Sequence, residues 1–266
     1  MKKQKKPKSK LKKYLVKTAA GFFNSFAKLD RTILYIVVYK LVFYLGLLGC
    51  YKVSSMVFFE KSMPLFKLAA SDASVQTKEV LQTYIHAIRT FYIEMAVYAA
   101  LFLLIIFAIY SLTNLFIWSA ITGKKLKKKD MKFSAGFFGL NAVWVLIWLL
   151  IMLLAIFSVR TEIVAFWIVP IALFYGHFTN LAYISYFKSG KVFKSIRLSF
   201  GVGTSKLGAF ILPYILTLAG FIIINLALML IPIFIRIRPM TLYFVVFLFY
   251  FAWFRIYVYS FAKKLL

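Results

Sequence analysis

The side chains that could do chemistry in this sequence are few and scattered. Its acidic residues are Asp30, Glu60, Asp72, Glu79, Glu94, Asp130 and Glu162, and none is paired at the spacing that acid–base hydrolysis needs. His86 and His177 stand far apart, and Cys50 is the only cysteine, so neither a metal-ligand cluster nor an internal disulfide can be assembled from local spacing. No H-E-x-x-H or G-x-S-x-G motif occurs. Residues 201–206 (Gly-Val-Gly-Thr-Ser-Lys) approach a phosphate loop, but no glycine directly precedes Lys206 and no strand leads into the segment. The expectation is a protein that is not an enzyme and that carries no cofactor and no metal.

The remaining polar candidates lie within apolar stretches. A charge at the centre of a membrane helix costs about 2.5–3.5 kcal/mol on insertion scales, so each needs a reason. Lys40 and Arg255 sit at similar depths, roughly 10 Å in at 1.5 Å per residue. They either snorkel to the interface or form a basic pocket for an anion or lipid headgroup. Lys52 and Glu94 match in depth and oppose in sign, which predicts an ion pair. Asn114 and Asn180 are further intramembrane polar groups, as are Asn141 and Asn225, and interhelical hydrogen bonding is their expected role. Pro170 and Pro213 remove backbone donors and predict kinks.

These residues are carried by six apolar stretches, at 33–58, 91–118, 137–158, 163–187, 207–233 and 240–261. Each reaches or exceeds the roughly 20 residues that cross a hydrocarbon core. Apolar residues are 63% of the chain and charged ones 15%, too little polar surface to coat a soluble domain. The runs do not alternate with period two, which excludes the strands of a membrane barrel. The fold expected is therefore all-α: a polytopic integral membrane protein with six transmembrane helices, preceded by a basic N-terminal arm over 1–32 with an amphipathic part.

The charge map orients this layout. The net charge is +27, and most of the 34 basic residues lie before the first stretch, after the second, after the fourth and in the tail. The positive-inside rule then places both termini in the cytoplasm of a cell-membrane protein. It also accounts for the positive charge without nucleic acid as a partner. The loop over 60–90 is the longest on the other side. Val75, Leu81, Ile85 and Ile88 recur there at helical spacing, which extends the second span's helix beyond the bilayer.

An internal repeat organises the middle of the chain. Thr113-Asn114-Leu115 is followed by Ser119, Gly123-Lys124 and Lys132-Phe133-Ser134-Ala135-Gly136. The same landmarks return in order as Thr179-Asn180-Leu181, Ser185, Gly190-Lys191 and Arg197-Leu198-Ser199-Phe200-Gly201. The units, about 92–158 and 163–233, run the same way through the bilayer, which makes the repeat parallel. A shorter echo occurs at Lys17-Thr18-Ala19-Ala20-Gly21-Phe22-Phe23. In each clear copy a glycine ends a span, a basic segment follows, and a serine caps the next span. Val192, Phe193, Ile196 and Phe200 share one helical face opposite Lys191, Lys194 and Arg197, as in an amphipathic helix lying on a membrane surface.

Two functions compete at this level. One is a non-enzymatic module that interacts with anionic lipids, membrane protein partners or further copies of itself through a basic cytoplasmic face. Lys40, Arg255, Lys191, Lys194 and Arg197 are its candidate headgroup ligands. The alternative is a small-solute or ion transporter or channel, with Asn114, Asn180, Glu94 and Lys52 as its polar residues. A polar-lined cavity would favour transport, and a solid aromatic core would favour the module.

Overall fold

The computed structural model describes residues 8–27, 31–71, 78–127, 130–158, 161–234 and 239–266. Among these, the regular structure is helical throughout: α1 (Lys8–Ala27), α2 (Arg31–Ser71), α3 (Lys78–Thr122), α4 (Met131–Ser158), α5 (Thr161–Ser189), α6 (Val192–Ser205), α7 (Leu207–Phe234) and α8 (Pro239–Ala262). In a medium without water, a helix satisfies its backbone groups within one segment, which is why such apolar runs take this form.

Five helical segments are long and apolar enough to cross a membrane: Arg31–Lys67, Gln82–Thr122, Met131–Ala155, Leu207–Leu230 and Leu242–Ala262. The stretch expected at 163–187 lies within the 29-residue α5, but its first part falls among residues whose side chains lie outside the described set. The outward-facing surface of the helices supports the same environment. Leu146, Leu149, Leu150, Leu153 and Leu154 of α4 are exposed, as are Ile211, Ile215, Leu218, Ile222 and Leu226 of α7. Asn141, His177, Thr179, Ser185 and Ser199 are buried. Exposed apolar patches on soluble monomers rarely exceed a few hundred Å². An apolar exterior around a partly polar interior is what a lipid solvent selects.

The chain divides into two compact units, Met1–Val38 with Leu115–Leu266, and Tyr39–Asn114. In the smaller unit, α2 and α3 pair antiparallel. Phe43 meets Tyr110, Phe58 meets Phe91, and Gly46 leaves room for Ile109. The two helices have 41 and 45 residues. At 1.5 Å per residue they measure roughly 60 Å or more, about twice the hydrocarbon thickness. The helical extension expected before 91 is present, because α3 begins at Lys78; Val75 lies outside the described residues. The continuation of α2 to Ser71, through Pro64, was not expected from the first apolar stretch.

In the larger unit, α5 is the central helix, and α4 and α6 pack against it. Three side-chain hydrogen bonds tie α5 to α4 and its N-terminal turn. Trp144 Nε1 donates to Thr179 Oγ1 at 2.7 Å, the Tyr183 hydroxyl donates to Asn141 Oδ1 at 2.6 Å, and the Tyr186 hydroxyl donates to the Phe133 carbonyl at 2.7 Å. Around them Trp118, Phe137, Leu140, Leu181, Tyr183, Tyr186 and Phe210 form a fully buried cluster. Trp144, Trp148, Phe178 and Ala182 form a second.

The N-terminal helix packs on α7 and α8. The Tyr14 hydroxyl donates to the Ala209 carbonyl at 2.6 Å. Two turns further on, buried Phe22 sits against Trp253 and Tyr257 of α8 and beside Gly220 of α7. Trp253 Nε1 donates to Ser25 Oγ at 2.9 Å. Helix α1 thus runs along α7 and is held by α8.

Candidate functional site

The two glycines of the repeat end their helices as expected. Gly123 and Gly190 adopt φ of 71° and 66°, in the left-handed region that a side chain disfavours. After Gly123, Lys124 N–H reaches back to the Ser119 carbonyl at 3.1 Å, the long-range bond of a helix C-cap. Asp130 closes the following loop, accepting the Lys127 N–H at 2.9 Å through its carboxylate. That bond gives the carboxylate a structural task.

The serines do not cap. Helix α4 starts at Met131, which places Ser134 inside it. Ser199 lies within α6, where its hydroxyl bonds the Ile196 carbonyl at 2.8 Å. The residue at the α6 N-cap is Lys191, which makes no side-chain capping bond. The two copies also differ beyond the glycine. One continues through the non-helical residues 124–127 into α4, whereas the other forms the separate helix α6, broken from α7 at Lys206.

Helix α6 also packs differently from the expected amphipathic pattern. Its buried stripe is Ser195, Ser199 and Gly203, spaced four apart. Small residues let helices approach closely, and this is how membrane helices associate without a hydrophobic driving force. At Gly203 the approach is so tight that an added Cβ would run into the Phe178 ring and lie 3.2 Å from His177 Nε2. His177 Nδ1 and the Tyr214 hydroxyl share a hydrogen bond of 2.8 Å while Nε2 faces the Gly203 carbonyl at 3.4 Å, so the imidazole ties α5 to both α6 and α7. Val192 and Ile196 flank the buried stripe, but Phe193 is 78% exposed and so is not on the packed face.

Three basic segments gather at one end of the larger unit. Phe133, in the first turn of α4, packs on Tyr186 and Phe187 and comes within 3.9 Å of where a Cβ of Gly190 would lie. Lys124 Nζ stands 3.2 Å over the Phe133 ring, a close cation–π contact. Lys188 Nζ donates to the Leu266 carbonyl at 2.9 Å, which brings the 263–266 segment to the same place. Leu126, Val192, Leu265 and Leu266 all pack on the same buried cluster. Lys191, Lys194 and Arg197 are exposed on α6 next to this end. No acidic residue follows Glu162 in the chain.

The other candidates are dispersed. Lys40 falls in the smaller unit and Arg255 in the larger, both half-buried. Asn114 is buried and donates to the Tyr110 carbonyl of its own helix at 2.9 Å, and Asn225 does the same to Phe221. Asn180 is half-buried on α5. The expected Lys52–Glu94 pair does not form. Glu94 pairs with Lys61 at 2.9 Å, and Lys52 is exposed. Lys61 lies nine positions further along α2, a register that follows from the helix continuing past the first apolar stretch. Among the described residues, no group of three or more His, Cys, Asp or Glu is placed to hold a metal ion.

Sequence reasoning noted Asn141 but missed its partner Tyr183, together with Tyr186, Trp144 and Thr179. Their signal was present as hydroxyls and aromatic rings along α5 at Thr179, Tyr183 and Tyr186, facing Trp144 of α4. They are the polar skeleton of the core.

Helices of this length and apolarity, with lipid-type residues outside and hydrogen-bonded polar groups inside, define a multi-pass membrane protein. No protein-family model, curated protein or solved structure matches the chain.

Proposed function

We propose that this protein is a non-enzymatic membrane module that engages anionic lipids or membrane protein partners through a basic cytoplasmic face. The observation that carries the reading is the gathering of residues 124–127, 188–197 and 263–266 at one end of the larger unit, where their lysines and Arg197 outnumber Asp130, the one acidic side chain close to them in sequence. Basic residues beside an anionic leaflet are worth about 1 kcal/mol each.

In this reading α5 also crosses the membrane, as the fourth of six spans, and the positive-inside rule turns the basic end, with both termini, toward the cytoplasm of the cell membrane. The parallel repeat is supported by the matched left-handed glycines, Gly123 and Gly190, each at the end of a long helix and each followed by lysine. The aromatic filling of the larger unit favours a module over a carrier, because Trp118, Phe137, Tyr183, Tyr186 and Phe210 occupy the interior that a solute path would need.

Extraction of the protein with its own lipids, followed by native mass spectrometry, tests the proposal. Retained anionic lipid or a stoichiometric protein partner is the expected result. A bare monomer that holds neither overturns it.

A further inference from the structure

We infer that the outer face of α6 is a seat for the phosphate of an anionic glycerophospholipid. The inference rests on the basic-face reading above and assigns it to one place. Seen along the helix at 100° per residue, Lys194, Arg197, Gly201 and Ser205 occupy a single arc opposite the buried Ser195–Ser199–Gly203 stripe. Phe193 and Leu198 border that arc, and all six residues line one surface depression.

Four observations point to a lipid. First, Lys194 and Arg197 are exposed, and among the described residues neither makes a hydrogen bond or an ion pair. Three other cations of this end are already engaged, Lys124 on Phe133, Lys188 on the Leu266 carbonyl and Lys263 on Tyr259. Second, a Cβ on Gly201 would meet nothing within 4 Å. The glycine opens a gap in the helix surface between the cations and the Ser205 hydroxyl, where a headgroup can approach. Third, Phe193 is 78% exposed and Leu198 36% exposed at the rim of a cationic site, an arrangement that water disfavours and acyl chains satisfy. Fourth, Lys194 and Arg197 lie within two turns of Gly190, the glycine that ends α5, at the same basic end as Lys124 and the 263–266 segment. An arginine fork beside an ammonium suits a phosphodiester oxygen pair, and a free anion would leave the apolar rim unused.

The test uses the full chain reconstituted in mixed phosphatidylcholine–phosphatidylglycerol bilayers, extracted gently and analysed by native mass spectrometry for retained lipid. Three variants are compared with the unsubstituted protein: Lys194→Gln with Arg197→Gln, Gly201→Leu, and Lys125→Gln with Lys127→Gln. Phosphatidylglycerol is expected to be retained over phosphatidylcholine. The α6 cation variant should lower that preference about tenfold or more. Gly201→Leu keeps every charge and fills only open space, so it should lose the lipid while folding normally. The Lys125/Lys127 variant should retain it. If the unsubstituted protein shows no preference for phosphatidylglycerol, the basic-face reading for lipid falls with the seat. If the preference exists but survives Gly201→Leu, the seat is wrong and the broader reading stands. Displacement of the lipid by inorganic phosphate at comparable concentration would assign the cations to a free anion and overturn the lipid seat.

Discussion

The Tyr183 hydroxyl donates to Asn141 Oδ1 at 2.6 Å across the packed faces of α5 and α4, with both residues all but sealed from the exterior. The other side of the same amide, Nδ2, has no acceptor among the described groups. The bond is therefore the single satisfied link of a buried amide. Tyr183→Phe should destabilise the larger unit by about 1–3 kcal/mol, because it leaves the amide with no partner at all. Tyr183→Phe combined with Asn141→Leu should recover much of that loss, since removing both polar partners removes the desolvation penalty. Unfolding in mixed micelles, followed through tryptophan fluorescence, measures both. A double variant worse than the sum of its parts would mean that the pair contributes by shape instead.

Two glycines should be intolerant for steric reasons. Gly136→Ala would push into the Tyr186 hydroxyl, and Gly203→Ala into the Phe178 ring. Each should cost about 1–3 kcal/mol as an overpacked site. Gly139→Ala in the same helix α4 meets nothing within 4 Å and should be neutral or slightly stabilising. Thermal denaturation of the three variants ranks them.

The turn glycines should fail differently. Gly123→Ala and Gly190→Ala keep their surroundings free of clash but force a side chain into the left-handed region, at about 1–2 kcal/mol each. Asparagine, which tolerates that region, should restore part of the loss at either position. Equal melting temperatures for the alanine and asparagine variants would count against this backbone explanation.

Glu94 should matter little to stability. It pairs with Lys61, but both side chains are more than a third exposed. Glu94→Gln is expected to change stability by less than about 1 kcal/mol. A larger loss would show that the pair is shielded by lipid.

Topology can be read by labelling. In a Cys50→Ser background, Lys125→Cys and Lys194→Cys should react with a membrane-impermeant thiol reagent from one side of the bilayer, and Gln82→Cys from the other. Reaction of all three from one side would remove the span assignment of α3.

The long apolar runs made the helices legible, because a lipid solvent demands continuous apolar faces and nothing else in the chain has that length. The turns at Gly123 and Gly190 were legible too, since a glycine before lysine at the end of such a run has one conformational use. The path of α2 was not. Glu60, Lys61 and Pro64 read as an exit from the bilayer, yet the helix passes through all three, and Lys61 thereby becomes the partner of Glu94. The face of α6 was misread for a related reason. In water Phe193 would be the residue to bury; here the packed stripe is Ser195, Ser199 and Gly203, because closeness of backbones and not apolar area holds membrane helices together. The seat of Phe22 has no local signal at all, since its partners Trp253 and Tyr257 come from the far end of the chain.

That last separation has a consequence in time. Ser25 and Trp253 are 228 residues apart, and Tyr14 and Ala209 are 195 apart. A ribosome adding about 5–20 residues per second needs roughly 10–45 s to span the first gap. Through that interval α1 has been synthesised but the surface it docks on does not exist. Helix α1 is thus made well before it can find its place, and its closure onto α7 and α8 must wait until both have been synthesised.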